Sequence, residues 1–114
     1  MEHQRRFPRI PTTNTVLVAQ VDGREVDQFA RTRTVGLGGC GFVYPEALTN
    51  GAIVELMVAT RPVAIKTLAR AVYARPLADG TGFEVGVEFL ALSPEHKRAL
   101  EDLLQMRLDA TDGG

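Results

Sequence analysis

Arg33-Thr34-Val35-Gly36-Leu37-Gly38-Gly39-Cys40-Gly41-Phe42 holds four of the chain's 11 glycines. Glycine lacks a Cβ, so it adopts positive φ freely and lets a backbone or a ligand approach closely. Such density between apolar runs builds no core. It reads as a strand bent sharply at a barrel corner, with a bulge and with accessible backbone N–H groups. Gly36 to Gly41 also matches G-x-G-x-x-G, but a dinucleotide site needs a helix to start there. Here Gly41-Phe42-Val43-Tyr44-Pro45 follows, strand-like and stopped by proline. No βαβ unit fits, and the chain is read as β rather than α/β.

Working outward, Thr15 to Val21 is rich in β-branched residues and reads as a strand. Asp22-Gly23 is a hairpin turn signal. Arg24 to Val35 is the returning strand, with Val26 and Phe29 expected inward and a bulge along it. Gly41 to Tyr44 is a third strand. Asn50-Gly51 turns the chain into Ile53 to Val58. Val63 to Arg75 is β-rich, but its imperfect alternation leaves its facing open. After the Asp79-Gly80-Thr81-Gly82 loop, Phe83 to Phe89 alternates cleanly, with apolar residues on one face and Glu84, Gly86 and Glu88 on the other. Ser93-Pro94-Glu95 is a helix start, with serine as N-cap, proline at the first position and glutamate at the positive end. Leu100, Leu103, Leu104 and Leu108 form one apolar stripe, to be buried on the sheet or on a partner helix. The expected fold is all-β with one C-terminal helix. The strands are expected to close into an antiparallel barrel, because closure removes exposed strand edges. The expected organisation is a flexible basic arm over 1–12, a barrel domain over 13–108 with its helix at 93–108, and a frayed tail over 109–114.

One domain of 114 residues can bury a core without staples. A net charge of −1 gives no global attraction to DNA, RNA or an anionic membrane. No apolar run approaches the roughly 18–20 residues of a membrane span, and the basic start lacks the apolar segment of a signal peptide. Cys40 is the only cysteine, which fits a reducing cytoplasm and is read as a small buried side chain. His3 and His96 lie far apart, and no metal site is expected. Ser93, the only serine, is committed to capping, so hydrolytic catalysis finds no support. Glu84 and Glu88 read as a solvated sheet face rather than an acid/base pair.

The start of the chain is locally cationic. Arg5-Arg6-Phe7-Pro8-Arg9 places three guanidinium groups around a proline-bent arm. Guanidinium forks pair with phosphate and with the O6/N7 edge of guanine, and their planes stack on bases. The arm therefore suits an anionic, guanine-bearing ligand, in one site with the glycine stretch.

Together these pieces resemble the PilZ domain family, the bacterial receptor module for cyclic di-GMP. Its mark is an R-x-x-x-R arm followed by [D/N]-x-S-x-x-G. The first falls on Arg5-Arg6-Phe7-Pro8-Arg9 and the second on Thr34-Val35-Gly36-Leu37-Gly38-Gly39. The likeness runs on through Gly41-Phe42, Asn50-Gly51, Phe83-x-x-Gly86-Val87-x-Phe89 and Leu92-Ser93-Pro94-Glu95.

The resemblance implies an all-β fold, a six-stranded antiparallel barrel of the split-barrel type with one C-terminal helix, and a ligand site of Arg5, Arg6, Arg9, Thr34, Gly36 and Gly39, with no catalytic or metal-binding residue. The arginines would grip guanines and phosphates. Thr34 stands where the family has an acid or amide for a guanine edge, and Gly36 stands where it has a serine for phosphate. Each lost contact is worth about 1–3 kcal/mol. The implied function is a cytoplasmic, non-enzymatic, single-domain cyclic di-GMP receptor, monomeric or weakly dimeric. It would signal through an unidentified partner protein in motility, surface attachment or biofilm formation. The alternative is a degenerate adaptor that binds protein and ignores the nucleotide.

Overall fold

The computed structural model describes residues 9–11, 13–60 and 64–112, with side chains at 13–60 and 64–105. Asp22-Gly23 closes the first hairpin, β2 (Thr15–Val21) to β3 (Arg24–Gly36). Both turn residues take positive φ, 50° and 81°, the conformation that matches the twist of the flanking strands. Asp22 is held there by its neighbour strand. Its N–H donates to the Ile53 carbonyl at 2.7 Å, and its Oδ1 accepts from the Ile53 N–H at 2.9 Å.

β3 carries an extra residue against β2, where the register shifts between Val18 and Gln20 and Asp27 takes φ 45°. The bulge changes which residues face inward. Val26 packs against the core as expected, but Phe29 pairs with Leu17 on the outside and is 67% exposed. The expectation that Phe29 faces inward is therefore corrected. A second shift, between Thr32 and Thr34, loops out Arg33 and leaves Thr34 opposite Gly41 of β4 (Gly39–Tyr44).

β5 (Ile53–Val58), β6 (Ile65–Pro76) and β7 (Phe83–Phe89) complete the sheet. The order β3-β2-β5-β6-β7-β4 is closed by the β3–β4 pairing into a six-stranded antiparallel barrel. β6 has its own register shift between Ala71 and Tyr73. That shift is why its alternation is imperfect in sequence: Ile65, Thr67, Ala69 and Ala71 face in, then Val72 and Tyr73 both lie off the core. β7 alternates as read, with Val85 and Val87 fully buried. Phe42 is fully buried and meets Tyr44 edge-to-face at 6.0 Å.

Helix α1 (Pro94–Asp112) begins where expected and includes residues 109–112. Ser93 Oγ accepts the His96 N–H at 3.1 Å, an N-cap bond. Leu100 and Leu103 are buried against the barrel and Leu104 partly so, while the side chain of Leu108 lies outside those described. Thr67 ties the helix approach to β6, its hydroxyl donating to the Ala91 carbonyl at 2.7 Å. Among the described residues, no helix is long and apolar enough to cross a membrane.

Candidate functional site

A short strand, β1 (Arg9–Pro11), lies antiparallel to the end of β3, pairing Arg9 with Gly36, Ile10 with Val35 and Pro11 with Thr34. Val35 also pairs with Cys40, so β1 and β4 occupy opposite edges of β3. β1 continues the edge that β2 leaves at Thr15. Asn14 bridges the gap between the two strands. Its carbonyl accepts the Thr32 N–H at 2.9 Å, its N–H donates to Thr32 Oγ1 at 2.8 Å, and its Nδ2 donates to the Ala59 carbonyl at 3.0 Å. The end of the arginine motif is thereby registered against the glycine stretch.

One row of residues crosses the outer face of the sheet from this point. Pro11 pairs with Thr34, Thr34 with Gly41, Gly41 with Gly86, and Gly86 with Tyr73. At about 4.8 Å per strand the step from β1 to β7 spans about 14 Å. Positions 41 and 86 are glycines, both buried, so this floor is covered by its neighbours' side chains rather than by its own. Tyr73 leans over Gly86, with ring atom Cδ2 only 2.7 Å from where a Gly86 Cβ would be. Above Gly41 three oxygens converge. A Cβ there would lie 3.2 Å from Thr34 Oγ1, 3.4 Å from Glu84 Oε2 and 3.5 Å from the Tyr73 hydroxyl.

Glu84 is the centre of the charged groups around this floor. Its side chain is 20% exposed, and its oxygens lie 3.6 Å from Arg33 Nη1 and 3.7 Å from Arg75 Nη2. The Tyr73 hydroxyl donates to Glu84 Oε2 at 3.3 Å. The Arg75 guanidinium also sits 4.6 Å from the Tyr73 ring centroid, a cation–π contact. Each element positions its residue by local sequence. The bulge at Arg33 turns that side chain outward, the β6 irregularity swings Tyr73 onto Gly86, and the strict alternation of β7 lifts Glu84. Glu84 thus meets two arginines, and Arg33 also faces the Asp79 carboxylate.

The PilZ domain family matches residues 3–106 of the sequence. The chain belongs to the PilZ domain family. Its fold is shared with solved PilZ-type structures at low identity. The crystal structure of Escherichia coli YcgR in complex with c-di-GMP superposes with a TM-score of 0.76 at 20% identity, covering 96% of this chain and 49% of that one. The PilZ domain of YcgR with c-di-GMP gives 0.72 at 18% identity, covering 97% and 98%. Bacillus subtilis inhibitor of motility, MotI/DgrA, gives 0.74 at 14%, covering 95% and 53%. The chain thus spans about half of the full-length YcgR and MotI/DgrA chains. No curated protein matches the sequence.

Against the PilZ pattern, the residues named from sequence fall as follows. Arg5 and Arg6 lie outside the described residues. Arg9 is brought beside Gly36 by backbone pairing. Thr34 is half-buried on the open face, while Gly36 and Gly39 are buried where β3 passes into β4. The expectation of accessible N–H groups along the glycine stretch is corrected at Gly39 and Gly41. Gly41 pairs with β3 and β7 at once, and Gly39 pairs with Glu88 of β7. Neither needs positive φ. Gly39 is required by close approach, because its Cβ would overlap the Val87 carbonyl oxygen. The face above Gly41 is not bare either, because Thr34, Glu84 and Tyr73 lean over it.

Arg33, Tyr73, Arg75 and Glu84 were not singled out as site residues from sequence. Glu84 was read as solvated, and nothing in its strand says otherwise. The available signal was glycine at positions 41 and 86, which make room for the Thr34, Glu84 and Tyr73 side chains that lean over them.

Proposed function

We propose that this chain is a non-enzymatic cyclic di-GMP receptor whose ligand lies across the outer face from β1 to β7. The observation that carries the reading is the pairing of Arg9 with Gly36 and Pro11 with Thr34. It registers the arginine motif against the glycine motif beside the row from Thr34 to Tyr73. Arg5, Arg6 and Arg9 supply guanidinium groups for phosphate and guanine. Thr34 supplies a hydroxyl, and Gly36 and Gly39 shape the corner. The titles of the YcgR structures and of the Klebsiella MrkH structure name c-di-GMP complexes of those proteins, which supports the same ligand class here.

Ligand binding would engage the arginine arm ahead of β1, which already pairs with β3, and create a surface for a partner protein. A ligand shifts such an equilibrium only by its differential affinity for the two states. MotI/DgrA is named an inhibitor of motility, so motility machinery is one class of partner to screen. Thr34 and Gly36, which lack the carboxylate and hydroxyl of the family motif, favour the second reading, an adaptor that ignores the nucleotide.

Calorimetric titration with cyclic di-GMP, on the wild type and on Arg5→Ala/Arg9→Ala, separates the two. The receptor reading expects saturable heat that the double variant abolishes. Absence of heat from the wild type at high micromolar ligand supports the adaptor.

A further inference from the structure

We infer that Glu84, rather than any residue of the glycine stretch, is the acceptor that selects guanine in this site. The inference rests on the receptor reading above. The Watson–Crick edge of guanine presents two parallel N–H donors, from the ring N1 and the exocyclic amino group. Edges of this kind are read by groups that can accept both. A carboxylate is the side chain built for that, with two oxygens and about four lone-pair positions. Among the described residues that lean over Gly41, Glu84 is the carboxylate, its Oε2 lying 3.4 Å from where a Gly41 Cβ would be.

Its lone pairs are not used up. Tyr73 donates one hydrogen bond at 3.3 Å, and the two arginine contacts at 3.6 and 3.7 Å are ion pairs beyond hydrogen-bond length. These partners orient the carboxylate without saturating it. Thr34 Oγ1 and the Tyr73 hydroxyl border the same space and add further acceptor capacity. Arg33 and Arg75 stand on either side to meet the ligand's negative charge. An adenine edge offers one donor beside an acceptor nitrogen, and that nitrogen would face a carboxylate lone pair. The site therefore prefers guanine by more than shape. Arg70 pairs with Glu88 further along the same face, which leaves Glu88 as a control of equal charge.

The test uses calorimetry on the full chain with cyclic di-GMP, cyclic di-AMP and cyclic di-IMP, which lacks the exocyclic amino group. The wild type is expected to bind cyclic di-GMP at least tenfold more tightly than cyclic di-IMP, and cyclic di-AMP more weakly still. Glu84→Gln is expected to lose at least tenfold for cyclic di-GMP and to bind cyclic di-IMP equally, while Glu88→Gln binds as the wild type. A tenfold loss corresponds to about 1.4 kcal/mol. Equal wild-type affinity for cyclic di-GMP and cyclic di-IMP overturns the inference without any variant, and leaves the receptor reading standing. Unchanged cyclic di-GMP affinity in a folded Glu84→Gln does the same. No wild-type binding of any of the three ligands overturns the receptor reading, and the inference with it.

Discussion

The Tyr73 ring occupies the space that a side chain at Gly86 would take. Tyr73 Cδ2 lies 2.7 Å from the ideal Cβ position, with Cε2 and Cζ closer still. Any residue but glycine at 86 evicts the tyrosine, and the tyrosine is what carries the hydroxyl to Glu84. The two residues are a single device on neighbouring strands.

Gly86→Ala is therefore expected to cost about 1–3 kcal/mol, the range for overpacking a filled site. Pairing it with Tyr73→Ala should recover much of that loss, because the second change removes the obstacle. Urea denaturation of the two single variants and the double variant gives the coupling energy. Strict additivity would show that Tyr73 does not rest on Gly86.

Gly39→Ala should be worse than Gly86→Ala, although both are overlaps. Its Cβ meets backbone: the Val87 carbonyl oxygen, and Glu88 Cα at 3.0 Å. A side chain can rotate away, but a paired strand cannot without breaking the β4–β7 ladder. We expect a loss of about 3 kcal/mol or more, the upper end for overpacking. Gly23→Ala is the useful contrast. Nothing lies within 4 Å of its Cβ position, but its φ is +81°, so its cost is the left-handed penalty of about 1–2 kcal/mol. Equal destabilisation of the two variants would count against the packing argument.

These glycines mark the boundary of what was legible in sequence. Turn glycines were readable, because Asp22-Gly23 and Asn50-Gly51 are local signals and Gly23 and Gly51 do take positive φ. β7 was readable because its alternation is unbroken. The side-chain cluster above Gly41 was not, because it depends on three strands brought together by pairing. Two of the lining residues follow register shifts, at Arg33 and before Tyr73. A bulge reverses facing from one residue onward, and no pattern of residue types fixes where it falls. Phe29 was misplaced for the same reason. The arm and the glycine stretch were joined in sequence by resemblance, and the register of Arg9 with Gly36 supplies the physical link.

Tyr44 gives a pH dependence with a definite sign. Burial, with a smaller contribution from Glu46, raises its hydroxyl above the ordinary value of 10.0, while Arg24 opposes the shift. The folded state thus favours the neutral phenol more than the unfolded state does. That preference stabilises the fold fully below the unfolded value near 10 and is lost as pH rises through the folded value. Melting temperature should fall more steeply above about pH 10 in the wild type than in Tyr44→Phe. Parallel alkaline curves for the two proteins would remove Tyr44 as the cause.

The effect of Thr34→Asp should depend on what stands at 84. Thr34 Oγ1 and Glu84 Oε2 both lie within 3.4 Å of the Cβ position above Gly41. A carboxylate at 34 in the wild type therefore faces a second one across that space. Two carboxylates sharing a site disfavour each other's charged form. The added acceptor is offset by this repulsion and by the ligand's own negative charge, so cyclic di-GMP affinity should change by less than about threefold, under 1 kcal/mol. In a Glu84→Gln background the repulsion is gone and the new carboxylate is the only one reaching that space. There, Thr34→Asp should restore at least about tenfold in affinity, or 1.4 kcal/mol. The measurement is a double-mutant cycle by calorimetry, which isolates the interaction between the two positions. A strong gain from Thr34→Asp in both backgrounds would mean that residues 34 and 84 read different parts of the ligand.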